Sequence, residues 1–314
     1  LFALIIKVFH FSDIANAVRL INALIIFGVI ALMGQIGSGL SAFRNGRSVI
    51  MILISCVGFI NNAYQLSPNI VVLFGFSLYF YALQKSAHMP GISAWLLSIG
   101  LIFISLNFTA QFIVIALLIL FILPLLGKEW RTPEYLICAG GGLALFTLLF
   151  GSYVWQLNSV DHAFYLEWEG KYLSFISFNL ADYGQSALFL VETLAWYLIP
   201  AWVLVVWTLY KRRSRIFQDK ILTLSLLSSG LLLLFAVLSG QHDESVIFPI
   251  IIPLVLLASV EIDSIKITIV SLLNWFCIFT FGLAGAFIAT LYIALNFGRP
   301  HELFIKAKYY APNY

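Results

Sequence analysis

Side chains able to do chemistry are few in this sequence, and two stretches contain most of the acids and histidines outside the basic loops. Residues 240–259 read GQHDESVIFPIIIPLVLLAS, so that Gln241, His242, Asp243 and Glu244 form a polar run directly before an apolar segment. Ionisable side chains beside such a segment are costly inside a bilayer and often mark function. An imidazole next to two carboxylates could bind an anion, a metal or a hydroxyl. A solvated connecting loop is the plainer interpretation, and both stay open.

The second stretch is residues 156–186, which is too long for a simple turn. Its ionisable residues are interleaved with aromatic ones. Aromatic side chains mixed with a few charges are typical of a helix lying at a membrane interface, and also of a sugar-binding rim. Trp168, Tyr172 and Phe175 share one helical face, which predicts a short interfacial helix. The candidate residues of this stretch are Asp161, Glu167, Glu169 and Lys171.

Composition determines the class of protein that must position these residues. The chain has 314 residues, of which 62% are hydrophobic and 10% charged, and its mean hydropathy is +1.01. Soluble domains average about 25% charged residues, so we expect an all-α, polytopic integral membrane protein. No basic patch interleaved with aromatics is present, which argues against nucleic-acid binding. The three cysteines lie in apolar runs without the spacing of metal ligands.

A membrane-crossing helix needs about 20 mostly apolar residues, and the sequence predicts about ten of them. Basic and non-basic loops alternate between the predicted spans, which indicates a cytoplasmic face at the basic loops. The segment 156–186 and the Gln241–Glu244 run then share the outer face. We expect one transmembrane domain over residues 1–314, with 156–186 as a sub-element, and we expect the sequence to be a fragment or to lack its ends. The predicted spans are 14–36, 48–65, 69–84, 91–106, 108–126, 134–155, 187–210, 220–239, 245–260 and 267–296.

Several segments, in order along the chain, resemble a known family of membrane enzymes. They include ANAVRLINALI, QLSPNIVVLFGFSLYFYALQ and SVIFPIIIPLVLLASVEID. The pattern resembles the lipid-carrier-dependent glycosyltransferases of the C-type superfamily, which include protein mannosyltransferases and lipid A aminoarabinose transferases. The resemblance implies transfer of a sugar from a polyprenyl-phosphate donor to a lipid, glycan or protein acceptor, at the outer face of a bacterial inner membrane.

The resemblance also implies roles for the candidate residues. Cations must stabilise the leaving phosphate, and Lys171 and His242 are the candidates. Acids must serve the acceptor or a metal, for which we consider Asp161, Glu167, Glu169, Asp243 and Glu244. The family's catalytic acid is expected upstream of Leu1, and a divalent cation is left open.

Two positions depart from the family pattern within the resembling segments. The family's Pro-Asp turn reads Pro68-Asn69 here, and Gln111 stands near a family lysine. These losses leave two rivals open: an O-antigen ligase or polymerase-type envelope enzyme, and a non-catalytic membrane subunit of a larger complex. A transporter is disfavoured, since mid-span charges and inverted repeats are lacking.

Overall fold

The protein is helical wherever its structure is described. The computed structural model describes residues 14–39, 43–63, 67–107, 109–174, 180–213, 219–265 and 267–297, together with 303 and 305, and no strand occurs in these ranges. The prediction of an all-α fold is confirmed. The helices, in chain order, are α1 (Ile14–Ser38), α2 (Phe43–Ser55), α3 (Val57–Ala63), α4 (Pro68–Lys85), α5 (Pro90–Ser105), α6 (Gln111–Leu126), α7 (Pro133–Val160), α8 (His162–Leu173), α9 (Leu180–Tyr197), α10 (Ala201–Arg212), α11 (Lys220–Leu238), α12 (Glu244–Ile247), α13 (Ile251–Val260) and α14 (Ile267–Phe297).

Three of the described helices are long and apolar enough to cross a membrane, which supports a membrane protein. They are Val18–Ser38 within α1, α7 and α11. The number rises to five if the bent pairs α2–α3 and α9–α10 each count as one span. About ten spans are therefore not supported. Helices α5 and α6 have 16 residues each, and a rise of about 24 Å falls short of a hydrocarbon core about 30 Å thick.

Two predicted spans are broken where the chain bends. The segment predicted as 48–65 bends by 72° at Cys56, between α2 and α3. The segment predicted as 187–210 bends by 99° between α9 and α10, at a break that includes Pro200. Proline cannot donate the helical hydrogen bond and its ring disturbs the preceding turn, which accounts for the second break.

Other apolar runs form the protein core instead of facing lipid. Helix α4 buries residues on every side, including Phe76, Tyr79 and Phe80. Residues 246–253 and 255–259 are all buried. The run divides into α12, a 3-10 turn that contains Pro249, and α13, with Pro253 in the first turn of α13. A helix that is apolar all round is buried either in protein or in lipid, and the sequence alone does not distinguish the two.

The predicted outer loop 156–186 is mostly helical. Helix α7 continues through Val160, α8 follows at His162–Leu173, and α9 already begins at Leu180. The prediction of a short helix in this segment is confirmed, whereas its place at a membrane surface stays a prediction. Tyr172 anchors α8, because its hydroxyl donates to the Ser105 carbonyl at 3.2 Å and its own carbonyl accepts from Ala110 N–H at 2.8 Å. Phe175 lies outside the described residues.

The chain divides into two compact units, Leu1–Ile262 and Asp263–Tyr314. The described part of the second unit consists mainly of α14, with 31 residues. In the first unit, residues from the predicted basic loops line one cavity: Gly39, His88, Glu129 and Arg212. We call this the basic end. Residues from the non-basic connections, at 61–62, 67–69, 107, 109, 111–112 and 241–246, line two other cavities. We call this the amide end, and it holds the candidate site.

Candidate functional site

Two adjoining cavities lie at the amide end, at the starts of α4, α6 and α12. We name them by a side chain in each wall: the Gln111 cavity has a volume of about 330 Å³, and the His242 cavity about 440 Å³. Asn69, Asp243 and Ser245 line both cavities. The Gln111 cavity adds the polar residues Asn107, Thr109 and Gln241. The His242 cavity adds Asn61, Asn62, Ser67 and Glu244.

Asp243 is fixed at the boundary of the two cavities because it caps α12. Its side chain accepts from Ser245 N–H at 3.2 Å and from the Ser245 hydroxyl at 2.7 Å. Aspartate is among the preferred residues at a helix N-cap. Each carboxylate oxygen accepts one of these bonds and keeps capacity for another donor. The carboxylate is exposed, so a ligand in either cavity could reach it.

His242 and Glu244 flank Asp243 in the His242 cavity. The imidazole is exposed and stacks on the Phe189 ring at 5.7 Å, with Nδ1 3.5 Å from the Ser186 hydroxyl. Glu244 accepts from the Asn61 side-chain amide at 3.3 Å. The run Gln241–Glu244 is thus part of a cavity wall and not only a solvated connector.

A buried node supports the floor of the His242 cavity. The Asn62 amide donates to the Tyr197 hydroxyl at 2.8 Å and to the Gly58 carbonyl at 2.9 Å. Tyr197 has no exposed surface, and its ring lies against Gly58 so closely that a side chain at Gly58 would overlap it. This contact joins α3 to α9 next to the bend after α9.

Gln111 brings an unpaired donor to the other cavity. The side chain is 1% exposed, and its Nε2 has no hydrogen-bond partner among the described residues. Leaving a buried donor unpaired costs about 1–3 kcal/mol. A polar ligand or ordered water in this cavity would satisfy the amide.

The candidate residues of the 156–186 segment lie on or next to α8 and line neither cavity at the amide end. Lys171 donates to Glu167 at 2.6 Å, and this hydrogen bond, with the charge attraction, lowers the pKa of the Glu167 carboxyl. Asp161 caps α8 by accepting from Phe164 N–H at 3.0 Å. Partial desolvation and the neighbouring Glu169 raise the pKa of Tyr165. Lys171, which the resemblance pairs with His242 as a candidate cation for the phosphate, does not line the His242 cavity.

Sequence reasoning missed most of the amides and hydroxyls of the site. Residue type alone does not mark Asn61, Asn62, Asn107 and Thr109 as site residues, whereas Asn69 and Gln111 stand out as departures from a family pattern. The available signal was positional. Short polar motifs such as NN at 61–62, SPN at 67–69 and NFT at 107–109 end or begin predicted spans on the same side, as the Gln241–Glu244 run does.

A metal ion is usually held by several His, Cys, Asp or Glu side chains that lie close together. Asp243, Glu244 and His242 are consecutive, but no group of three or more His, Cys, Asp or Glu side chains that could hold a metal occurs in the described part of the chain. A divalent cation stays a prediction.

Known proteins offer no direct guide to this site. No family model, no curated protein and no solved structure matches this chain. The resemblance to lipid-carrier-dependent glycosyltransferases rests on the sequence segments alone and stays a prediction.

Proposed function

We propose that this protein is a glycosyltransferase that moves a sugar from a polyprenyl-phosphate donor to a hydroxyl-bearing acceptor at the amide end. One observation carries the proposal: the Asp243 carboxylate lies in the shared wall of two adjoining polar cavities. A transfer reaction brings two ligands together, and a general base must reach the acceptor hydroxyl between them. Asp243 has the chemistry and the position for that role.

The reaction proceeds by a single displacement. The acceptor oxygen attacks the anomeric carbon of the sugar, and the bond between that carbon and the phosphate oxygen breaks. The leaving polyprenyl phosphate takes the bonding electron pair, and the Asp243 carboxylate takes the proton of the acceptor hydroxyl. A carboxylate positioned in this way contributes about 10²–10⁴-fold to the rate.

We assign the donor to the His242 cavity and the acceptor to the Gln111 cavity. His242 is the one positively chargeable side chain among the residues described in either wall, and a protonated imidazole donates charge-assisted hydrogen bonds to phosphate. The Gln111 cavity offers amides from Asn107, Gln111 and Gln241. Such groups donate to and accept from hydroxyls without favouring charge, as a sugar or another hydroxylated acceptor needs.

A lipid-linked donor also requires a protein that lies in a membrane. Helices α1, α7 and α11 are long and apolar enough to cross one, and they support this part of the proposal. We propose the bacterial inner membrane as the location, with the amide end at its outer face.

The test is sugar transfer by the full-length protein in proteoliposomes, with polyprenyl-phosphate sugars as donors. Asp243→Asn keeps a good N-cap for α12, since Asn caps helices about as well as Asp, but it removes the base. We expect transfer to fall by about 100-fold or more while the melting temperature changes little. Asp161→Asn is the matched control, because Asp161 also caps a helix by its side chain but lies outside both cavities.

Equal transfer by wild type and Asp243→Asn would overturn the role of Asp243. Donor binding without transfer by the wild-type protein, across the donor and acceptor classes tried, would instead favour a non-catalytic subunit.

A further inference from the structure

The largest of the three described cavities lies at the basic end, away from the proposed transfer site. Its volume is about 570 Å³. It is bounded by the end of α1, the end of α4, the turn after α6, the end of α10 and the start of α11. None of the residues that line it also lines a cavity at the amide end. It is thus a separate candidate site.

The wall of this cavity is apolar on one part and polar on another. The apolar part is formed by Ile36, Phe80, Leu83, Ile221, Leu222 and Val260. The polar part includes Gln84, Trp130, Arg212 and Lys220. A ligand that fits this wall has both an apolar and a polar portion.

Most charges near the cavity are already matched within the protein. Arg212 donates to Glu261 at 2.6 Å and to Asp219 at 2.7 Å. Lys211 donates to the same Glu261 at 2.8 Å. Both basic residues at the end of α10, and the acid Asp219 in the wall, are thus paired with opposite charges.

Lys220 is the lysine in the wall, and its charge is not matched in this way. No carboxylate lies within salt-bridge distance of its ammonium among the described residues, and the ammonium sits 5.7 Å from the centre of the Trp130 ring. Glu129, the other acid in the wall, is exposed to solvent. Lys220 therefore brings a partly buried charge to the cavity that a ligand could neutralise.

Two further wall residues have buried polar atoms without partners. The Trp130 side chain is 2% exposed and its indole N–H has no acceptor within the described residues. The Gln84 amide donates to Ile36 at 2.8 Å, but its Oε1 has no donor there. Lys220 and Trp130 together need an acceptor, whereas Gln84 needs a donor, and buried polar groups are normally satisfied by protein, water or ligand.

We propose that the basic-end cavity binds an anionic phospholipid with a hydroxylated headgroup. The phosphate accepts hydrogen bonds from Lys220 and Trp130, and a headgroup hydroxyl donates to Gln84. The first part of an acyl chain lies on the apolar wall. Basic pockets between membrane helices recognise anionic headgroups through the same forces. This inference is independent of the transfer reaction.

The experiment measures lipid retention by the purified full-length protein in neutral detergent, using native mass spectrometry with phosphatidylglycerol and phosphatidylcholine. We expect the wild type to retain phosphatidylglycerol preferentially. Lys220→Gln should weaken that binding about fivefold, as expected for one cation worth about 1 kcal/mol at a lipid surface. Lys220→Arg should retain it. Arg213→Gln is the matched control, since Arg213 is exposed beside Tyr210 and does not line the cavity.

A second measurement uses the wild type alone, so that a folding defect in a variant cannot hide the result. Acetylation of Lys220 by an amine-reactive acetylating reagent should slow when phosphatidylglycerol is added. Acetylation of Lys171, which is exposed on α8, should not slow. Protection by glycerol phosphate as strong as that by phosphatidylglycerol would support the phosphate chemistry but assign the site to a soluble ester. Equal retention of the two lipids, or no change in Lys220 acetylation with either phosphate compound, would overturn the proposal.

Discussion

At the scale of single residues, the candidate site depends on amides and carboxylates whose neighbours leave them available. Asp243 holds the start of α12 and still faces two cavities. Gln111 is held in a buried position, and its nitrogen has no partner among the described residues. An unpaired buried donor lowers stability and is tolerated where function requires it. Asp243 thus stabilises the fold, whereas Gln111 lowers its stability. Variants of the two residues can therefore separate effects on stability from effects on function.

Gln111→Leu tests this separation. Gln111→Leu keeps a similar volume but removes a buried donor that has no partner in the described part of the chain. The melting temperature should rise, because such a donor costs about 1–3 kcal/mol. Acceptor use should fall, seen as a higher KM for the acceptor. Asn62→Leu is the control for stability, since the Asn62 amide donates to the Tyr197 hydroxyl at 2.8 Å and to the Gly58 carbonyl at 2.9 Å, and the loss of these bonds should lower the melting temperature. A lower melting temperature for Gln111→Leu with unchanged acceptor KM would contradict this account.

At the scale of elements, the bends next to the site decide which polar residues meet. The break at Cys56 turns α3 so that Asn61 and Asn62 line the His242 cavity. Gly58 permits the turn because the Tyr197 ring occupies the space that a side chain would need. The sequence indicates a continuous span over 48–65, since this contact joins residues more than 130 positions apart and leaves no local signal.

Gly58→Ala should therefore destabilise the protein. The added methyl group would overlap a ring that is fully buried and hydrogen-bonded to Asn62, and overpacking of this kind costs about 1–3 kcal/mol. Gly230→Ala is the matched control, because Gly230 lies in α11 with nothing near its missing side chain. Alanine in a helix interior is favoured over glycine by about 1 kcal/mol. Thermal melting in detergent should thus rank Gly230→Ala at or above wild type and Gly58→Ala below it, and the reverse order would refute the role of Gly58.

At the scale of the whole molecule, loop charge predicts more than hydropathy does. The alternation of basic and non-basic connections correctly groups the residues that line the described cavities into a basic end and an amide end. Hydropathy correctly locates α1, α7 and α11 as candidate spans. Hydropathy overestimates the number of spans, because some apolar runs, such as 245–260, are buried within the protein. Hydropathy also does not indicate that Lys171 pairs with Glu167 on the same helix.

In the proposed reaction, a lipid-linked sugar and its acceptor meet at the amide end, around Asp243. The most direct measurement is photo-crosslinking of the full-length protein in membranes with a polyprenyl-phosphate sugar that carries a diazirine on the sugar ring, followed by peptide mapping. We expect labelled peptides containing residues 241–245 and 61–69, and we expect unlabelled donor to reduce the labelling. Labelling confined to the basic end, or labelling that unlabelled donor does not reduce, would contradict the proposal.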